Sequence, residues 1–180
     1  MAFWKKRIEL PGTFYQAVGD CLLNFMESQS KSRKIQTSSM SINNACELLD
    51  MVKEGFAKLS GLISNFPIKS GSLIALSDVE EDIRTCEKRK TALLEITDLA
   101  PSESLSSCNR EIDGYDPLQF QRSIINMQTL FGLQFQKATE MMAKAANTSH
   151  SDFMTIAVRA AAATPRGQNV YAEAVHSQRN

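Results

Sequence analysis

Apolar residues recur at steps of three and four through residues 116–147, the longest uninterrupted helical pattern in the chain. That spacing places them on one face of an α-helix, and such a stripe must be covered by other protein. Asp116 suits the N-cap, Pro117 suits the first helical position, and Gln119 can complete a capping box. The stripe consists of Phe120, Ile124, Met127, Phe131, Phe135, Ala138, Met142 and Ala145. The pattern predicts a long amphipathic helix around which the rest of the chain is organised.

A second helix is predicted at 41–65, because its apolar residues alternate steps of three and four throughout. They are Ile42, Ala45, Leu49, Val52, Phe56, Leu59, Ile63 and Phe66. This is the heptad spacing of a coiled coil, and Pro67 ends it. So short a seam is marginal for a coiled coil on its own. Packing against another helix of the same chain and packing against a partner's helix therefore both remain open.

Two further helices and a short one complete the pattern. Thr13 and Gln16 form a capping box for a helix at about 13–30, and Ser77 and Glu80 form one for a helix at about 77–97. The buried side of the earlier helix is predicted to hold Phe14, Val18, Cys21 or Leu22, and Phe25. That of the later helix holds Val79, Ile83, Cys86, Leu93 or Leu94, and Ile96. Ser151 is expected to cap a short alanine-rich helix that stops before Pro165.

Strand signals are few, so we expect an all-α fold of four main amphipathic helices plus a short C-terminal helix. The connections allow a mostly antiparallel, bundle-like arrangement. The chain's 180 residues suit one ordinary domain. We expect an aromatic and basic arm at 1–12, a single helical domain at 13–163 with an exposed loop at 98–116, and a polar tail at 164–180.

The charge balance and the hydropathy of the chain bear on which partners it binds and in which compartment it is found. Twenty basic and twenty acidic side chains cancel, so no overall field attracts nucleic acid. No run of apolar residues is long enough to span a membrane, and the opening residues lack the apolar core of a cleaved signal. The expected location is cytoplasmic, or outside the cell by a route without a cleaved signal peptide. Residues 3–7, FWKKR, could contact an anionic membrane surface or fold back on the domain.

The residues that carry chemistry form no recognisable constellation. Cysteines stand at 21, 46, 86 and 108 with no CxxC, which is typical of packing residues. There is no Gly-rich phosphate loop, GxSxG or HExxH, and the histidines, His150 and His176, lie in polar sequence. The acidic pairs Glu80–Glu81 and Asp113–Asp116 look like a helix start and a loop. We therefore expect no enzymatic activity, no cofactor and no metal.

The stretch 116–148, DPLQFQRSIINMQTLFGLQFQKATEMMAKAANT, resembles the C-terminal region of the small subunits of bacterial type III secretion needles and inner rods. The resemblance rests on a DP start, a glutamine-bearing amphipathic helix and a small-residue end. The residues that carry it are Asp116, Pro117, Gln128, Phe131, Gln134 and Lys144. Those subunits normally end with this helix, whereas residues 149–180 follow it here. The resemblance implies an assembly subunit or secreted accessory whose last long helix packs against copies of itself.

The leading functional hypothesis is a non-enzymatic helical interaction protein that self-assembles or is associated with secretion, with protein partners that include itself. One alternative is a soluble adaptor or chaperone that binds a partner helix. Another is an amphipathic protein that coats a lipid surface or an inclusion. The residues expected to carry the interaction are the large apolar members of the two strongest stripes. They are Phe120, Ile124, Met127, Phe131, Phe135 and Met142 of the long helix, and Leu49, Phe56 and Leu59 of the second.

Overall fold

The computed structural model describes residues 9–35, 41–66, 76–98 and 116–170. These residues form α1 (Gly12–Lys34), α2 (Ile42–Asn65), α3 (Leu76–Asp98), α4 (Pro117–Ala145) and α5 (His150–Ala162), followed by a short helical segment at 165–170. The described parts contain no strand, so the all-α prediction is confirmed. The predicted arm at 3–7, nearly all of the predicted loop 98–116, and Cys108 lie outside the described residues.

The start of α4 is capped as predicted, but two other starts are not. The Asp116 carboxylate accepts hydrogen bonds from the backbone N–H groups of Leu118 at 3.0 Å and Gln119 at 3.5 Å. The prediction of Thr13 as a cap is wrong, because extended Pro11 precedes α1 and no side chain caps its start. The prediction that Ser151 caps α5 is also wrong. Ser149 caps α5 by accepting from the Asp152 N–H at 3.1 Å, where the chain leaves the α4–α5 turn in an extended conformation.

Helix α2 lies at the centre of the bundle, in contact with α1, α3 and α4. Helix α1 runs antiparallel to it. The Phe14 and Phe66 rings meet at 5.7 Å at one end of the pair, and Lys31 forms an ion pair with Glu47 at the other. Between them, the Cys21 thiol donates to the backbone carbonyl of Gly55 at 3.6 Å. Cys21 is buried and Leu22 only half-buried, which settles the alternative that the sequence left open.

Helix α3 packs antiparallel on another side of α2. Lys90 pairs with Asp50 at 2.8 Å, and Lys53 pairs with Glu87 at 3.0 Å. Leu93 is fully buried while Leu94 is 47% exposed, so Leu93 is the inward residue of that pair. Because three helices cover α2, its buried face is wider than the predicted heptad seam, and it adds Leu48 and Leu62.

Helix α4 closes the bundle over α1, α2 and α3. Its Phe131 ring lies 5.5 Å from that of Phe25 in α1 and 5.4 Å from that of Phe56 in α2. One turn earlier in α4, the Gln128 amide donates to the Ser28 hydroxyl, one turn later in α1, so the two helices are antiparallel. Toward α3, Met127 meets Cys86 and Gln134 donates to Asp82. Helices α2 and α4 consequently run in the same direction.

Helix α5 runs parallel to α1 and crosses it closely. The Tyr15 and Phe153 rings lie 5.2 Å apart, and one turn later Gly19 sits against α5. A Cβ at Gly19 would collide with the carbonyl oxygen of Ala157 and the Cβ of Ala161. The alanine-rich sequence of α5 therefore serves close approach of two helix backbones.

The packed structure continues past residue 163, where the polar tail was predicted to begin. The Arg166 guanidinium donates to both carboxylate oxygens of Glu27, at 2.7 and 2.9 Å, and to the Asn24 side-chain oxygen at 2.6 Å. Val170 packs in a small cluster with Leu23 and Ala161. Residues 165–170 thus dock on α1, while 171–180 lie outside the described residues.

Replacing Phe131 with alanine should lower the free energy of unfolding by about 3–5 kcal/mol, because the ring is 2% exposed and joins three helices. Ile156→Ala is the matched control, since Ile156 is 45% exposed and should cost only about 0.5 kcal/mol. Urea unfolding followed by circular dichroism measures both variants. Equal losses would show that Phe131 is not a core residue.

Two glycine-to-alanine changes should have opposite signs. Gly19→Ala should destabilise the fold by about 1–3 kcal/mol, because the added methyl group forces α1 and α5 apart. Gly61→Ala should stabilise it by about 0.5–1 kcal/mol, because Gly61 is helical and its added methyl would meet nothing within 4 Å. Thermal unfolding compares the two, and a neutral Gly19→Ala would contradict the close crossing.

Candidate functional site

The two predicted interaction stripes face each other inside one chain. Eight of the nine predicted residues are buried, and Phe120 is half-buried against the same core. The buried ones are Ile124, Met127, Phe131, Phe135 and Met142 of α4, with Leu49, Phe56 and Leu59 of α2. Their apolar surface is covered by the chain's own helices. A partner that meets the folded chain therefore contacts a different surface.

The opposite side of α4 carries a second row of residues, which we call the outer seam. Its members follow one another at steps of four, three, four, four, three and four, so they lie on one helix face. They are Leu118, Arg122, Ile125, Thr129, Leu133, Gln136 and Glu140, and every one is exposed. Helix α4 is thus apolar on its inner face and mixed on its outer face.

Large exposed apolar side chains concentrate on this outer side. Six such side chains occur among the described residues, and four of them belong to α4. Leu118, Ile125 and Leu133 of the seam are 45%, 46% and 55% exposed, and Leu130 beside the seam is 38% exposed. The other two exposed apolar side chains are Leu94 of α3 and Ile156 of α5. Single exposed leucines are ordinary, whereas a row on one helix face indicates an interaction surface.

The polar members of the outer seam are mostly neutral. The Thr129 hydroxyl donates to the Ile125 carbonyl at 3.0 Å, so it is satisfied within the helix. The Gln136 amide donates to one carboxylate oxygen of Glu140, also at 3.0 Å. Arg122 forms no ion pair with another described residue. The seam therefore places one cation near its start, one anion near its end, and apolar or neutral groups between them.

An open groove of about 490 Å³ runs beside the outer seam, between the end of α1 and the first half of α4. Ile125 borders both the groove and the seam. Behind it, buried Gln128 donates to the hydroxyl groups of Ser28 and Ser32 at 3.3 and 3.4 Å. Arg33 brings the groove its one charged side chain. This lining offers hydrogen-bonding amides and hydroxyls but no acid–base pair.

A second groove, of about 430 Å³, lies between the start of α1 and the end of α2. Its charged residues are Asp20 and Lys58. Lys58 is engaged by the Asn24 side-chain oxygen at 2.9 Å and by Glu54 at 3.5 Å. The lysine therefore helps to hold α1 against α2.

The described cysteines have the properties of packing residues. Cys21, Cys46 and Cys86 are free thiols. Burial raises the pKa of the Cys21 thiol far above its usual range, raises that of Cys86 to about 12, and raises that of half-buried Cys46. The thiolate is the nucleophile and the metal ligand, so these three thiols are poorly suited to either role at neutral pH.

The described histidine and acidic groups have structural contacts. His150 Nε2 lies 2.8 Å from the Thr139 hydroxyl, which itself donates to the Phe135 carbonyl, so the histidine nitrogen is the donor. This bond ties α5 to α4. Glu81 is bound by Arg84 at 2.7 Å, and that hydrogen bond, followed by the arginine's charge, lowers the pKa of the Glu81 carboxyl. Asp116 caps α4.

Among the described residues, no three or more His, Cys, Asp or Glu side chains are grouped so that they could hold a metal ion. Nor does any described helix combine the length and apolar character needed to cross a membrane. Comparison of the chain with protein-family models, with curated proteins and with solved structures finds no match.

The outer seam was missed at the sequence level, although a signal for it was present. Leu118, Ile125 and Leu133 do not belong to the inner stripe, and they recur at steps of seven and eight. Those steps return to one helix face, so apolar residues left over from the dominant stripe already marked a second surface. The stronger periodicity of the inner stripe concealed it.

Proposed function

We propose that the protein is a non-enzymatic helical interaction protein that self-assembles through the outer face of α4. The observation that carries this proposal is the concentration of exposed apolar side chains on that face, four of the six among the described residues. Rows of this kind are costly to leave in water and are typical of protein–protein contact sites. The inner face of α4 supplies the stability of the domain, which leaves the outer face for a partner.

The exposed apolar side chains of the outer seam would contribute favourably to the free energy of association. Full burial of a leucine or isoleucine side chain contributes about 1.5–3 kcal/mol. Leu118, Ile125 and Leu133 are each close to half exposed, so covering them should contribute about half of that per residue. The neutral polar residues between them cost less to desolvate than charges would. Together these features favour helix-to-helix contact.

The association with secretion rests on the sequence resemblance of residues 116–148 to needle and inner-rod subunits. In those subunits the last long helix packs against copies of itself. The outer seam is the part of α4 that remains available for such packing in this chain. Residues 149–170 do not obstruct this reading, because α5 packs on α1 and on the last turns of α4.

A soluble adaptor or chaperone is the second candidate, and the groove beside the seam favours it. The groove of about 490 Å³ has an apolar border at Ile125 and hydrogen-bonding groups at Gln121 and Gln29, a combination that suits an extended or helical peptide. A protein that coats lipid or polymer would instead use the exposed apolar row, together with Lys137 and Lys144 on the same side of α4.

Ile125→Asp should abolish self-association while leaving the helix content unchanged, because Ile125 is exposed in the folded chain and central in the proposed contact. Ile156→Asp is a matched control, since the two isoleucines are 46% and 45% exposed on different helices. Sedimentation velocity over a range of protein concentrations, with circular dichroism in parallel, measures both variants. The wild type and Ile156→Asp should associate with rising concentration, and Ile125→Asp should remain monomeric.

Other results would redirect the proposal. A wild-type chain that stays monomeric throughout would contradict self-assembly and favour the adaptor. Flotation of the wild type with vesicles of anionic lipid, lost in Ile125→Asp, would favour the coating protein. Identical behaviour of the two aspartate variants would show that the outer face of α4 has no special role.

A further inference from the structure

The outer seam is self-complementary when read from its two ends. Arg122 and Glu140 lie on the same helix face, eighteen residues or about 27 Å apart, and carry opposite charges. Ile125 and Leu133 lie between them, with Thr129 midway between those two apolar side chains. Reversing the direction of the helix exchanges Arg122 with Glu140 about residue 131 and Ile125 with Leu133 about residue 129, and these two centres lie only about 3 Å apart along the helix.

We propose that a second copy of this chain occupies the outer seam, with the two α4 helices antiparallel about a two-fold axis near Thr129. This inference rests on the proposed function and specifies its partner and geometry. A two-fold interface uses the same patch on both copies, so each contact occurs twice. With the axis level with residue 130, Arg122 of each copy lies within about 3 Å along the helix of Glu140 of the other copy, and Ile125 lies within the same distance of Leu133.

Charge complementarity selects this direction. In a parallel pairing, Arg122 of one copy would face Arg122 of the other, and Glu140 would face Glu140. Like charges that face each other across an interface repel. In the antiparallel pairing both ends attract. The Gln136 amide already holds one oxygen of Glu140, which orients the carboxylate and leaves its Oε2 atom to accept the incoming guanidinium.

The remaining charged residues of this side fit the same arrangement. Lys137 and Lys144 flank Glu140 on neighbouring positions of the helix surface, and both are exposed. In the antiparallel pair they lie beside the partner's apolar residues at 118 and 125. Long lysine stems can cover apolar surface there while the ammonium groups stay in water. The partner's Arg122, the one charged residue of its first half of α4 after Asp116, lies opposite Glu140 and about one helical turn from either lysine.

A two-fold contact closes on itself, so the seam alone produces a dimer and not a filament. Any larger assembly of this protein would need a second, different surface. The dimer would then be the building block of that assembly.

Charge reversal provides the test. Arg122→Glu and Glu140→Arg should each raise the dimer dissociation constant by about tenfold or more, because each creates two repulsive pairs per dimer. The double variant should recover wild-type association, and so should an equal mixture of the two single variants, whose heterodimer carries attractive pairs at both ends. Arg159→Glu, an exposed reversal on α5, is the control and should change little. Sedimentation equilibrium measures all five samples.

Cysteine cross-linking tests the direction independently of charge. Thr129→Cys lies near the proposed axis and should be joined to its counterpart by a short bis-maleimide. Leu118→Cys should not, because its counterpart would lie more than about 30 Å away in an antiparallel pair. Wild-type protein treated alike gives the background from the native thiols. Cross-linking of Leu118→Cys to itself would overturn the antiparallel geometry.

The outcomes separate this inference from the function on which it rests. If the wild type associates and Ile125→Asp does not, but charge swaps have no effect, the interaction surface stands and the antiparallel pairing falls. Failure of the double variant or the mixture to recover association would also overturn the pairing. If the wild type never associates, self-assembly itself is wrong.

Discussion

The contact between Phe131 and the α1–α2 pair is the interaction on which the bundle depends. The ring lies over Gly55, where a Cβ would come within 3.3 Å of it, and touches aromatic rings of α1, α2 and α4. The same Gly55 accepts the Cys21 thiol through its carbonyl, so one small residue joins three helices. Because this contact occupies the inner face of α4, the face of that helix that is exposed in the part of the chain that the structure describes is the outer one.

Much of the fold follows from the spacing of apolar residues. The apolar stripes of α2 and α4 predicted helices at 41–65 and 117–147. The structure has these helices at Ile42–Asn65 and Pro117–Ala145. The spacing of apolar residues identifies the helix face that must be buried, but it does not identify the helix or partner that buries it. Phe131 and Phe56 could have met a partner or each other with the same spacing. The structure shows that they meet each other, which moves the candidate site to residues such as Ile125 that the stripe excluded.

The features that the sequence did not reveal depend on contacts between distant residues. From the sequence, Gly19 is only a residue of low helix propensity within α1. In the structure, Ala157 and Ala161 of α5 pack directly against it. Arg166 reads as part of a polar tail until Glu27, far away in sequence, is found to bind both its Nε and Nη2 atoms. The starts of α1 and α5 were each misplaced by two residues, because Thr13 follows an uncapped start at Pro11 and Ser151 follows the true cap, Ser149.

The central claim is that the inner face of α4 folds the chain while its outer face joins two copies. Hydroxyl-radical footprinting, read residue by residue by mass spectrometry over a range of protein concentrations, tests both halves in one measurement. Phe131 and Phe135 should be protected at every concentration, whereas Leu118, Ile125 and Leu133 should lose reactivity as the dimer forms. Outer residues that stay reactive when the protein is concentrated, or inner phenylalanines that become protected only then, would contradict the account.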